Sequence, residues 1–194
     1  MNGILISVRP QHVMNILNRD KILEIRKTMP KCELPCKVYI YCTKDRHLAN
    51  VIDKSGSQLF ACCNSESAFI CGGYLGNGKV VAEFTLNKID KLEYRHLSVS
   101  HTNAYIPVSA DADYQWEKHC CVDYGSIVDY GKFAPLYAWH IDDLKIYNKP
   151  KELSDFTRLI SEPFETWHYN HREKLKRPPQ SWCYVEVNNE SIQL

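Results

Sequence analysis

No run of eighteen apolar residues occurs anywhere in this 194-residue sequence, so no transmembrane helix is expected. The start, MNGILISVRP, has no basic n-region, no long apolar core and no small-residue cleavage site. The expectation is therefore a cytoplasmic chain with no membrane partner. A basic excess is missing too: Lys plus Arg number 24 and Asp plus Glu 23, for a net charge of +1. A protein that coats duplex nucleic acid usually carries a clear positive surplus. Any contact with nucleic acid is then expected to use a local patch, or a pocket for one base. There is no internal repeat and no low-complexity linker. What remains is ordinary globular composition, 44% hydrophobic and 24% charged, which excludes disorder of the whole chain and suits a single domain over 1–194.

Cysteine, by contrast, is abundant. The nine cysteines are an odd number, and in a cytoplasmic chain they default to reduced thiols. Cys32-x-x-x-Cys36 has a spacing that zinc sites use, with Cys62, Cys63 or His119 as conceivable further ligands. A second ligand pair at the customary distance is missing, so structural thiols are the expected reading, with no metal and no cofactor. Cys42 and Cys183 fall in strand-like apolar runs, where Cys behaves as a small hydrophobe.

Periodicity predicts one early helix and then mostly strands. Residues 3–8 read as a buried strand ended by Arg9-Pro10, and Pro10 suits the first position of a helix that carries Val13, Ile16 and Leu17. Strands are predicted at 21–26, 38–42, 79–86, 136–141 and 181–187, with shorter ones near Leu59–Cys62 and Phe69–Cys71. Leu144–Tyr147 continues the 136–141 strand after a break at Asp142-Asp143. Gly72-Gly73 and Gly76-Asn77-Gly78 mark turns. One or two short helices are expected within 114–131, stopped at Gly125 and Gly131, and another from Pro150 to Phe156. The long apolar closing strand is expected to pair in the centre of a sheet. Strands not interleaved with long helices favour an α+β fold built on a small, partly closed β-barrel over a doubly wound sheet.

The N-terminal pattern resembles a known family. A strand, Arg9-Pro10, a short helix ending Ile16-Leu17-Asn18, and then Lys21-x-x-Glu24-x-Arg26 are similar to the ASCH domain of the PUA-like superfamily. Gly78-Lys-Val-Val-Ala-Glu-Phe84, Leu136-Tyr-Ala-Trp-His140 and Pro178-Pro-Gln-Ser-Trp-Cys-Tyr-Val185 look like segments of the small ASCH proteins of phages and mobile elements. Residues 43–77 and 96–120 exceed a minimal domain of this kind and read as insertions. The resemblance implies a cleft beside the barrel that accepts RNA or a modified nucleoside. Some ASCH proteins remove an acyl group from N4-acetylcytidine, and others are linked to ribonuclease activity.

The residues are then read in that light. Lys21 matches the family lysine and, if desolvated, would become a better base. Glu83, in the Val-Val-Ala-Glu strand, matches a functional carboxylate and is expected to find Arg26 or Lys21 as a partner. Glu24 stands where the amidohydrolases have the Thr that looks like their nucleophile, and a carboxylate does not simply replace a hydroxyl. Lys21, Glu24 and Glu83 are thus the catalytic candidates, and Arg9, Arg26 and Trp139 join them as ligand-binding candidates. Glu24 and Arg26 share a strand face, whereas Lys21 has the opposite parity and reaches that face only across a twist or bulge. A structural Glu24–Arg26 ion pair that also bridges to Glu83 is the plainer alternative. Arg172, Lys174, Lys176 and Arg177 could touch phosphate, although a solvated loop accounts for them more simply. The expected function is RNA or modified-nucleoside binding. An acylcytidine amidohydrolase or ribonuclease is one alternative, and a protein that binds and inhibits a host protein is the other.

Overall fold

The computed structural model describes residues 2–46, 49–52, 58–62, 73–98, 101–164 and 167–187. The strand expected at Phe69–Cys71 and the Gly72 turn position lie outside them, and no described helix is long and apolar enough to cross a membrane. The backbone divides into two compact units. One comprises Met1–Leu17, Lys37–Phe84 and Leu144–Leu194, and the other Asn18–Cys36 and Thr85–Asp143.

The first unit starts with β1 (Asn2–Val8) and α1 (Pro10–Leu17). Pro10 opens the helix, where its missing N–H costs nothing, and Pro10, Val13, Ile16 and Leu17 form its buried stripe. β2 (Leu23–Arg26) belongs to the second unit, and β3 (Cys36–Cys42) returns the chain to the first. Then come β4 (Ala49–Ile52), β5 (Gln58–Cys62), β6 (Tyr74–Leu75) and β7 (Val80–Leu86). After the second unit the chain continues with β11 (Asp142–Lys151), a 3₁₀ turn (Leu153–Asp155), β12 (Phe156–Phe164), β13 (Trp167–Lys174) and β14 (Trp182–Val187).

Seven of these strands form one sheet in the order β11-β7-β3-β1-β14-β12-β13, and β5-β4-β6 form a small second sheet. β1 runs parallel to β3 and antiparallel to β14. The apolar closing strand is thus an interior strand, as its composition predicts. Among the described residues no sheet closes on itself, so a closed barrel is not found. The returning strand inserts between β1 and β12 instead of joining two edges. Leu5, Tyr39, Tyr41, Val80, Tyr147, Phe156, Leu175 and Val185 form a core on this sheet.

The second unit carries β2, β8 (Ile89–Leu97), β9 (Thr102–Pro107) and β10 (Leu136–His140) in the order β2-β10-β8-β9. Two helices, α2 (Trp116–His119) and α3 (Tyr124–Gly131), lie between β9 and β10 in sequence. Leu23, Ile25, Leu92, Tyr105, Trp116, Ile127, Leu136 and Ala138 pack together as its core. Gly125 does not stop a helix as expected. It sits in the first turn of α3, whose N-cap is Asp123 with its carboxylate accepting the Ser126 N–H at 2.8 Å. Gly131 does end α3, and its missing side chain leaves room for the Tyr105 hydroxyl, which donates to the Ala134 carbonyl at 2.9 Å.

Two further boundaries differ from the pattern. Asp142-Asp143 opens β11 rather than breaking a strand, with Asp143 at φ 48°. Pro150 lies in β11, and the helix expected after it shrinks to the 3₁₀ turn, where the Glu152 and Asp155 side chains cap each other's backbone N–H groups.

Candidate functional site

The Lys21-x-x-Glu24-x-Arg26 motif forms a buried charge cluster in the second unit. β2 pairs antiparallel with β10, with Glu24 opposite Trp139 and Arg26 opposite Tyr137. Leu23 and Ile25, on the other face of the strand, enter the core. The ladder starts at Leu23, two residues later than the pattern suggests. Arg19 takes a left-handed conformation (φ 65°), and the Ile22 N–H donates to the His119 carbonyl at 3.0 Å. Residues 21 and 22 therefore lie outside strand parity. Ile22 is 40% exposed while Lys21 is only 2% exposed.

The Lys21 ammonium donates to the Cys120 carbonyl at 2.6 Å and lies 3.3 Å from Glu24 Oε2. Arg26 reaches Glu24 Oε1 at 3.0 Å. Glu24 and Arg26 are 7% and 5% exposed. Two cations and the carboxylate between them lie almost out of water, an arrangement that is costly unless closely paired. Tyr130, under the Lys27 ammonium at 4.7 Å, borders the cluster. Burial pushes its phenol up, and the nearby Arg26 charge opposes that shift.

Trp139 is fully buried, on the same face of the β2–β10 pair as Glu24. His140 Nε2 lies 2.8 Å from Asp90 Oδ2, an oxygen that also accepts the Asp113 N–H at 3.0 Å. Asp113 in turn meets His119 Nδ1 at 2.5 Å. Burial alone would raise the Asp113 carboxyl. The His119 hydrogen bond, the Gln115 N–H and the charges of both histidines outweigh it and hold the group below its ordinary 3.8. Two imidazoles, each oriented by a carboxylate, are a feature that sequence reasoning missed. The Asp–His separations of 50 and 6 residues follow no motif.

Glu83 lies in the first unit, on β7, among partners the sequence did not suggest. Its carboxylate accepts from the Lys37 ammonium at 2.7 Å and the Tyr147 hydroxyl at 2.5 Å, where Lys21 or Arg26 was expected. Burial would raise its pKa. The Lys37 and Tyr147 hydrogen bonds, with the charges of Lys37 and Lys145, bring it below 4.5 instead. Lys151 lies over the Tyr147 ring at 4.8 Å, and burial with the Glu83 charge pushes Tyr39 up to about 12. Arg9 is exposed between β1 and α1, and its carbonyl accepts the first N–H groups of the helix.

The first unit also contains two adjoining hollows that share the 174–178 ridge. The larger, of about 870 Å³, includes Tyr41, Lys44, Leu153, Lys174 and Lys176 in its walls. The smaller, of about 410 Å³, includes Arg158, Arg177 and Cys183. Their acidic groups are already occupied: Glu152 pairs with Lys79, and Glu173 pairs with Lys176 at 3.0 Å. Lys44, Lys174 and Arg177 enter no ion pair among the described residues, whereas Arg158 stands opposite Glu173 in the β12–β13 ladder and its charge helps to lower that carboxyl. The basic run before Pro178-Pro179 is thus the wall of a concave surface. Its signal was present in the sequence, but concavity depends on Lys44, about 130 positions away.

Six cysteines are described as free, and no described group of three or more His, Cys, Asp or Glu side chains could hold a metal ion. Cys62 and Cys63, named above as conceivable ligands, lie outside the described side chains.

No family model matches the sequence, and no curated protein matches it significantly. Among solved structures, the chain is similar to ASCH from Zymomonas mobilis. The identity is 15%, the TM-score 0.52, and the match covers 95% of this chain and 87% of that one. Two variants of the same protein, a Tyr-to-Phe and a Ser-to-Ala substitution, match at 14% identity and TM-score 0.52. These matches cover 95% of this chain and 90% and 88% of theirs.

Proposed function

We propose that this chain, which has the ASCH fold of those structures, is a cytoplasmic protein that binds single-stranded RNA, with the backbone phosphates on the basic hollows of its first unit. The observation that carries the reading is the group of three cations that enter no ion pair among the described residues, Lys44, Lys174 and Arg177, with Arg158 beside them, around two hollows that share one ridge. A phosphate chain supplies the repeated anions that such a wall lacks, and a local patch suits a chain of net charge +1. In this reading a base or modified nucleoside is recognised by the motif residues Lys21, Glu24 and Arg26 of the second unit. Residues 43–77 and 96–120 are insertions in one ASCH-type domain. The test is fluorescence anisotropy of a labelled single-stranded RNA. The Lys44→Glu/Lys174→Glu/Arg177→Glu variant is expected to lose at least about tenfold in affinity. Unchanged affinity would remove the reading.

A second reading, hydrolysis of RNA or of an acylated nucleoside, is favoured by the His140–Asp90 and His119–Asp113 pairs. A carboxylate-oriented imidazole is the usual apparatus for proton transfer at neutral pH. Incubation with N4-acetylcytidine and with short RNAs, following product by chromatography, separates turnover from binding. Product that disappears in both His119→Ala and Lys21→Ala would favour the enzyme.

A further inference from the structure

We infer that Cys32 and Cys36 form a reversible dithiol–disulfide site that reacts with hydroperoxides. The Cys32 thiol donates to the Cys36 sulfur across 3.5 Å. A disulfide bond of about 2.05 Å requires an approach of only about 1.5 Å from there. Both residues are half-buried, so a small oxidant can reach them. Cys32 belongs to the loop that links β2 to β3, and Cys36 is the first residue of β3. One sulfur thus sits on an anchored strand and the other on the segment that leads into it.

The other described thiols are engaged differently. The Cys42 sulfur accepts from Asn50 Nδ2 at 3.3 Å. Cys120 and Cys121 turn their thiols toward the carbonyls of Glu117 and Lys118. Cys183 is in a wall of the smaller hollow. The RNA reading uses neither Cys32 nor Cys36, so the inference stands independently of it.

The order of events follows from the environment. Burial, then the hydrogen bond with Cys32 and its charge, push Cys36 up to about 12. Cys32, on the loop rather than on the paired strand, is the attacking sulfur. Its thiolate attacks one oxygen of the hydroperoxide, and the O–O bond breaks. The leaving alkoxide or hydroxide takes up a proton, and Cys32 becomes a sulfenic acid. Cys36 then attacks the Cys32 sulfur and the S–O bond breaks. The departing hydroxide takes the Cys36 proton to leave as water, and the S–S bond closes. The two thiols lose two electrons and two protons, and the peroxide is reduced by the same amount. A small-molecule thiol reverses the step by exchange.

The sequence makes the test clean, because Lys31 and Lys37 flank the pair and trypsin releases residues 32–37 with both cysteines and no other. The full chain is treated with equimolar hydrogen peroxide under native conditions, alkylated and digested without reduction. The expected 32–37 peptide is unalkylated and lighter by two hydrogens, and dithiothreitol before alkylation restores two alkyl groups. Cys36→Ser is expected to leave a dimedone-reactive sulfenic acid at Cys32, whereas Cys32→Ser leaves Cys36 alkylated. Double alkylation of 32–37 while other cysteines oxidise would overturn the inference. So would a cross-link from either residue to a different cysteine.

Discussion

Lys21 donates its ammonium to the main-chain carbonyl of Cys120, 99 positions away, while lying within ion-pair distance of Glu24. The motif lysine therefore ties the turn before β2 to the segment after α2 and neutralises part of the strand's own charge. Its two neighbours make unequal demands. Glu24 separates two cations, whereas Lys21 is one of two that Glu24 accommodates.

The inequality gives an order of stability. Glu24→Gln removes the carboxylate that buried Lys21 and Arg26 share, and is expected to cost about 3–5 kcal/mol. Lys21→Met leaves the Glu24–Arg26 pair intact and strands one carbonyl, for about 1–3 kcal/mol. The exposed pair Lys132–Asp129 is the control, with Lys132→Ala within about 0.5 kcal/mol. Urea denaturation of the three variants checks the ranking, and equal costs for Glu24→Gln and Lys132→Ala would contradict it.

Acid acts on the first unit through Glu83. Its folded pKa lies below the ordinary 4.5. The stabilisation it provides is therefore complete above 4.5 and fades as the pH falls through the folded value. Glu83→Gln is expected to be less stable than the parent at pH 7, with the difference shrinking below pH 4.5. Thermal melts across pH 7 to 3 test this, and parallel curves would refute it.

Salt separates a phosphate-binding wall from a merely basic surface. If Lys44, Arg158, Lys174 and Arg177 each engage one phosphate, the logarithm of affinity falls with a slope of about −3 against the logarithm of salt, from about −0.7 per neutralised phosphate. That is about a 50-fold loss between about 50 and 200 mM salt. Each charge-removing substitution is expected to flatten the slope by about 0.7. An anisotropy titration at four salt concentrations reads it directly.

Packing sets the cost at Gly131. A Cβ there would overlap the Tyr105 hydroxyl and stand 2.8 Å from its ring carbon. Gly131→Ala is expected to cost about 1–3 kcal/mol. Tyr105→Phe loses its hydrogen bond to Ala134, about 1 kcal/mol, but removes the hydroxyl that overlaps the Cβ most, leaving the ring carbon to shift. The double variant should therefore be more stable than the sum of the two losses implies, by at least about 0.5 kcal/mol. A double-mutant cycle in denaturant measures that coupling.

Much of the secondary structure was legible because its signals are local. Pro10 and the Val13, Ile16 and Leu17 spacing define α1, and the apolar run at 182–187 reads as an interior strand. The errors were local competitions decided by distant contacts. Asp123 caps a helix that Gly125 was expected to stop, and the edge strand β11 absorbs Pro150. The candidate site divides similarly. The Glu24–Arg26 pair follows from strand parity, but Lys21 comes within reach only because the turn at Arg19 places it outside the ladder.

Sequence alone determined which segments alternate, where the Lys-x-x-Glu-x-Arg charges stand on their strand, and the resemblance to ASCH proteins that the fold bears out. Only the tertiary structure decided the partners: Lys37 and Tyr147 for Glu83, Asp90 for His140, and Lys44 for the 174–178 ridge. The physical reason is range. Backbone preference and side-chain periodicity act over a few residues and leave a mark in the order of the chain. A hydrogen bond or a concave wall depends on distance in space, which is fixed only when strands far apart in sequence come to lie side by side.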